Sequence, residues 1–123
     1  MKYFVFENFT PNDLESIVNF VTKNKDLDVN FKDVDNNTLL IWACHKNRTD
    51  LAKLLIENEK IDINFRNIYG NTAFLLACRN GNNELVFLLA DKGANIDVRN
   101  NNGSSGLFYA IKNNNQELIF FFE

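Results

Sequence analysis

Proline, cysteine and histidine are nearly missing from this chain of 123 residues, which has one Pro, two Cys, one His, one Trp and one Met. Two cysteines cannot make a disulfide framework or a zinc cluster. A single histidine, His45, excludes a two-histidine metal set and a duplicated acid–base pair, so no metal or cofactor is expected. No apolar run approaches the ~20 residues of a membrane-spanning helix. Charge of one sign is scarce too: a formal net charge of −3 is too mild to argue for nucleic acid or a membrane surface. The opening "MKYFVFENF" has one Lys and no small-residue cleavage site, which makes it a poor signal peptide and points to the cytoplasm or nucleus. In such a compartment the sequons at Asn8, Asn36, Asn47 and Asn102 are chance products of heavy asparagine usage.

What the chain does have is apolar material for a core, at 46% hydrophobic residues, and a phrase it says twice. "NTLLIWAC" (Asn37 to Cys44) returns as "NTAFLLAC" (Asn71 to Cys78). Thr38 and Thr72, Ala43 and Ala77, and Leu51 and Leu85 all stand 34 residues apart. Thr72 and Ser105, Ala77 and Ala110, and Leu85 and Leu118 stand 33 apart. Fixed self-similarity at this period marks a stacked repeat array. The register also runs backwards onto Ile17, Phe20 and Val21, so part of a unit precedes the first clear copy.

One unit can be read physically. Gly70 supplies a turn and the Thr72 hydroxyl is placed to cap a helix. Phe74, Ala77 and Cys78 share a face of that helix. It ends at Gly81, where the left-handed conformation closes a helix, and its counterparts Asn47 and Asn114 are the next-best residue type for that backbone. A second helix carries Glu84 in its first turn, where a carboxylate suits the dipole, and a stripe of Leu85, Leu88 and Leu89. Such a helix pair cannot bury its own apolar faces, so copies must stack. Cys44 and Cys78, at equivalent places, should then lie about 10 Å apart, the spacing of packed helices and beyond the ~7 Å Cα limit for a disulfide.

The unit resembles the ankyrin repeat, on Gly70, Thr72, Ala77, Gly81, Glu84, Leu85, Val86, Leu88, Leu89, Gly93, Ala94 and the Ile96–Asp97 pair, and the resemblance covers roughly residues 11 to 123. It implies an all-α ankyrin-repeat solenoid of stacked helix-turn-helix units with projecting hairpin loops. The division expected is a single domain over 1–123, with a partial N-terminal capping unit at 1–33 and repeats at 34–66, 67–99 and 100–123, the last incomplete. Where the family has Thr-Pro-Leu-His, this chain has "TLLI", "TAFL" and "SGLF". The His bonds between units cannot form with Ile41, Leu75 or Phe108 in that place, so apolar packing is expected to hold the stack.

At the N-terminal end, Thr10, Pro11 and Asp13 look like the start of a helix, and the apolar segment 2–9 is expected to cover the open core edge. At the other end "ELIFFFE" has no polar cap. Either the array continues, which is the favoured expectation, or Phe120 to Phe122 pack back on the stack or against another copy, in which case the protein would not be a monomer.

Motifs for chemistry fail one by one. Cys44 and His45 are adjacent on a helix and so point about 100° apart, unable to act as a nucleophile and base. "GSSG" (Gly103 to Gly106) lacks the spacing of a nucleophile elbow and falls where a turn and cap belong. No enzyme is expected.

The family resemblance implies recognition of a partner protein by a concave face of hairpin tips and inner helices. Carried onto this sequence, the tips hold Lys32, Asp35, Arg66, Ile68, Tyr69, Asn71, Arg99 and Asn102, and the inner-helix ends hold His45, Lys46, Arg79, Asn80 and Lys112. Ile68–Tyr69 is the expected hot spot, since Tyr is a common interface anchor; the competing reading folds Ile68 against the neighbouring hairpin and leaves only Tyr69 exposed. Trp42 is read as packing between units. Lys32, Arg66, Arg99, Lys46, Arg79 and Lys112 form a basic row that suits an acidic or phosphorylated segment, unless it only pairs with Asp33 or solvent. The expected function is a non-catalytic protein-interaction module; the alternative is the N-terminal targeting or regulatory array of a longer protein whose activity lies beyond Glu123.

Overall fold

The computed structural model describes residues 28–123, and the expected Thr10 helix start and the apolar cover at 2–9 lie outside the described residues. Among the described residues six helices follow one another as three pairs: α1 (Leu39–His45) with α2 (Thr49–Ile56), α3 (Ala73–Asn80) with α4 (Asn83–Asp91), and α5 (Gly106–Lys112) with α6 (Gln116–Phe122). Hairpin turns precede each inner helix, and among the described residues only isolated bridges, Lys32 with Thr38 and Arg99 with Ser105, represent β structure.

Each inner helix starts the same way. The hydroxyls of Thr38, Thr72 and Ser105 accept from the backbone N–H groups of Ile41 (3.2 Å), Leu75 (3.2 Å) and Phe108 (3.1 Å), satisfying a donor that the helix itself leaves unpaired. Each ends the same way too, with Asn47 (φ 58°), Gly81 (φ 70°) and Asn114 (φ 53°) in the left-handed region. The next residue's N–H then reaches back to a helix carbonyl, from Arg48 to Ala43, Asn82 to Ala77 and Asn115 to Ala110. The outer helices α4 and α6 are capped by Asn82 and Asn115 side chains, whereas Arg48 caps α2 without one.

Inner helix stacks on inner helix, α1 on α3 on α5, and α2 packs against α4. Ala43, Ala77 and Ala110 are fully buried at the crossing of each pair, and Leu51, Leu55, Leu85, Leu89 and Leu118 fill the space between layers. The stripe differs from expectation in one respect: Leu88 is only half-buried, while Val86 is fully buried. An outer helix touches both its own inner helix and a neighbouring outer helix, so its buried arc is wider than one stripe. Ile41 and Leu75 are buried, as apolar replacements for the family histidine should be.

Apolar packing is not alone in joining the units. Asp33, Asn67 and Asn100, in register, each anchor a hairpin tip by accepting two backbone N–H bonds, from residues two and four positions on. The amides of the last two also reach the preceding unit: Asn67 Nδ2 donates to Asn37 Oδ1 and Asn100 Nδ2 to Asn71 Oδ1, both at 2.9 Å. Alongside this ladder the tips bond directly, Ile68 N–H to the Asp35 carbonyl and Asn101 N–H to the Tyr69 carbonyl, both 3.0 Å. At the last unit Phe121 and Phe122 pack back, against Phe87 (5.4 Å between centroids) and Phe74 (6.1 Å), while Phe120 remains 76% exposed.

Candidate functional site

Hairpin tips on one side and inner helices on the other enclose a groove of about 460 Å³. Its floor is built from one inner-helix position in three successive units, Trp42, Leu76 and Tyr109, with Tyr69 on the hairpin side. The hairpin wall carries Asp33, Asp35, Asn37, Asn67, Asn71, Asn100 and Asn102, and the helix-end wall carries His45, Lys46 and Arg79. Stacking places these three bases together, because His45 and Arg79 stand at equivalent positions in the last turns of α1 and α3. An Arg79 terminal nitrogen lies 2.9 Å from His45 Nδ1. Guanidinium only donates, so Nδ1 accepts and the imidazole is neutral in this contact. The His45 pKa is held below its usual value by partial burial first, then by the positive charges of Arg79 and Lys46.

Most amides of the hairpin wall are engaged in structure, whereas the Asn102 side chain and Asn71 Nδ2 have no partner among the described residues. Asn100 donates to Asn71 and to the Tyr109 hydroxyl (3.1 Å), and Asp33 takes Asn37 Nδ2 on its second oxygen. Asp35 is different: its carboxylate has no partner among the described residues. The groove therefore has a negative point on one wall and a positive cluster on the other. Among the described residues no group of three or more His, Cys, Asp or Glu could hold a metal ion, and no helix is long and apolar enough to cross a membrane.

Helices in repeated pairs, the inner ones capped alike and stacked on one another, have a counterpart among known families: the description "Ankyrin repeats (3 copies)" matches residues 9–100 and 59–122. The chain belongs to the ankyrin-repeat family. No curated protein matches it. Ankyrin repeats are generally protein–protein interaction modules and typically non-catalytic.

In this ankyrin stack seven of the thirteen residues named from sequence line the groove: Asp35, His45, Lys46, Tyr69, Asn71, Arg79 and Asn102. The other six do not. Lys32 stands over the Phe65 ring (5.4 Å) and Lys112 over the Phe108 ring (6.0 Å). Arg99 bonds its own turn through the Gly103 carbonyl (3.0 Å), Arg66 lies beside Gly70, and Asn80 donates to the Cys44 carbonyl (2.7 Å). The basic row is thus broken, with only Lys46 and Arg79 of its six members in the groove. Ile68 and Tyr69 are 47% and 58% exposed, so Ile68 does not fold away, though it sits outside the groove lining. Sequence reasoning passed over Asn67, Asn100 and Tyr109 as groove residues and named Asp33 only as a partner for the basic row; the held spacing of Asp33, Asn67 and Asn100 was the signal that could have found their role.

Proposed function

We propose that this ankyrin array is a non-catalytic module that binds a segment of a partner protein in the groove between hairpin tips and inner helices. The observation that carries this is the composition of that groove: an aromatic and apolar floor beside amides that are mostly hydrogen-bonded, with the Asp35, Lys46 and Arg79 charges, the Asn102 amide and the exposed Tyr69 ring left to face a ligand. A rigid aromatic surface beside a few free charges is how interfaces combine area with orientation. The module acts by presenting this surface, so its partner preference resides in those side chains and not in the fold.

The test is site-specific photo-crosslinking. Benzoylphenylalanine placed at Tyr69 in the groove, and separately at Lys92 on the far loop, is irradiated in lysate of the native cell. A protein crosslinked from position 69, absent from position 92, and lost when Arg79→Glu is added to a variant that keeps its helical circular dichroism, supports groove binding. Equal crosslinks from both positions would refute it.

A further inference from the structure

The contact between Arg79 and His45 is held by a lone pair that protonation would remove. With a proton on Nδ1, two donors would face each other at a separation of 2.9 Å, beside the further positive charge of Lys46. The pair would have to part unless an anion lay between them, and a carboxylate accepting from both restores two charge-assisted hydrogen bonds. The other charged or titratable groups lining this groove are Asp33, Asp35, Tyr69 and Tyr109. Asp33 is occupied by its turn, accepting from Asp35 N, Asn37 N and Asn37 Nδ2. Asp35 stands on the hairpin wall and repels an acid there. The charge pattern thus leaves an acidic side chain one place, at the helix-end wall.

Resting on the groove reading above, we propose that the partner segment is acidic and extended, that one of its Asp or Glu carboxylates inserts between His45 and Arg79 beside Lys46, and that binding takes up a proton at His45. An extended chain spans the units with its backbone along the groove, and the single carboxylate contact fixes its register. Because the carboxylate favours the imidazolium, and the imidazolium favours the carboxylate, each raises the other's affinity by the same factor. Partial burial, Arg79 and Lys46 all disfavour the charged ring in the empty groove, so a ligand that reverses this has a proton to gain.

His45 is the sole histidine, so its Cε1–H resonance reads out this site without assignment ambiguity. The probe is a capped Glu–Ala octapeptide, with the Gln–Ala octapeptide as control, titrated over pH by proton NMR. The free protein is expected to titrate below the ordinary histidine value. Saturating Glu–Ala peptide should raise the midpoint by about one unit, which corresponds to roughly fivefold tighter binding at about pH 5.5 than at about pH 7.5. Gln–Ala peptide should leave it unmoved, and Arg79→Gln should abolish the shift. His45→Gln should leave weak peptide binding with no dependence on pH across that range; both side chains are surface residues, and circular dichroism confirms the fold of each variant. An unmoved midpoint with Glu–Ala peptide, or a pH dependence that survives His45→Gln, overturns the proposal. If crosslinking from position 69 succeeds while the midpoint stays put, the groove reading stands and this inference alone fails; if both fail, the groove reading falls with it.

Discussion

Asn100 is the most informative residue to change by one atom. Its side chain is 8% exposed and fully engaged: Oδ1 accepts from Asn102 N and Ser104 N, both at 3.0 Å, while Nδ2 donates to Asn71 Oδ1 (2.9 Å) and the Tyr109 hydroxyl (3.1 Å). Asn100→Asp keeps the first two bonds. The Tyr109 hydroxyl can turn and donate, so the loss concentrates on Asn71 Oδ1, which then faces an oxygen. One lost hydrogen bond costs about 0.5–1.5 kcal/mol, and an acceptor left opposite a buried carboxylate adds a similar amount, so the expected destabilisation at neutral pH is about 2 kcal/mol. The natural Asp33 shows what would repair it, because Asn37 four residues on gives Asp33 an Nδ2 donor at 3.3 Å, whereas the third unit has Ser104 there. Adding Ser104→Asn should recover about 1 kcal/mol. Acid should help too: burial favours the neutral carboxyl, which regains a donor, so the penalty is expected to shrink as pH falls to about 4. Urea unfolding followed by far-UV circular dichroism, with the slope checked for constancy, measures all three. A loss below about 0.3 kcal/mol, or one that neither pH nor Ser104→Asn changes, would refute the claim that the amide ladder joins the units.

Two further predictions concern the core. A Cβ on Gly106 would stand 2.5 Å from Phe122 Cζ, 3.1 Å from Cys78 Sγ and 3.2 Å from Phe74 Cε2. Gly106→Ala is therefore expected to cost about 1 kcal/mol despite the better helix propensity of alanine, and to become neutral or stabilising in a Phe122→Ala background, as a double-mutant cycle in urea will report. Burial pushes the Cys78 thiol up to about 12 and the Cys44 thiol higher still, both from an ordinary 9.0. A pKa raised by folding gives stability that is complete below the unfolded value and lost as pH rises towards the folded one, so each thiol should withdraw about 1.4 kcal/mol by pH 10. Unfolding at about pH 8 and about pH 10, compared with a Cys44→Ala/Cys78→Ala variant, isolates that contribution; equal pH dependence in both proteins would contradict it.

Backbone features were legible from sequence because they depend on residues a few positions apart. The capping hydroxyls of Thr38, Thr72 and Ser105 and the left-handed Asn47, Gly81 and Asn114 are local choices that repeat at the period. The core was nearly as legible, since fully buried Leu51, Leu85 and Leu118 occupy one register position. Side-chain tips were not. Lys32, Arg66 and Arg99 share one register position and Arg79 and Lys112 another, yet long flexible cations go to whatever lies near: Lys32 to Phe65, Lys112 to Phe108, Arg99 to its own turn. Sequence fixes where a Cβ stands; where a charge ends depends on neighbours contributed by the next unit. Ile68 and Tyr69 illustrate the same limit, both exposed at one tip but only Tyr69 turned into the groove.

Asparagine was the residue type that composition misrepresented. Much of its abundance looked like bias, but Asn67 and Asn100 anchor hairpins and link units, Asn82 and Asn115 cap outer helices, and Asn47 and Asn114 close inner ones. An amide suits these tasks because it donates and accepts at once, which is what a group between two units needs. The consequence reaches the groove. With Ile41 and Leu75 buried at the helix starts, hairpin amides supply polar links between units, and Asn67 and Asn100 line one wall with their hydrogen-bonding capacity already used. On the proposed reading a ligand would meet few unspent groups there, chiefly Asp35 and the Asn102 amide, and would find its donors on the opposite wall at His45, Lys46 and Arg79. That reading assigns stability and recognition to different side chains of one surface, so changes at Asn67 or Asn100 should register in unfolding, and changes at Arg79 or Lys46 in binding, with little exchange between the two.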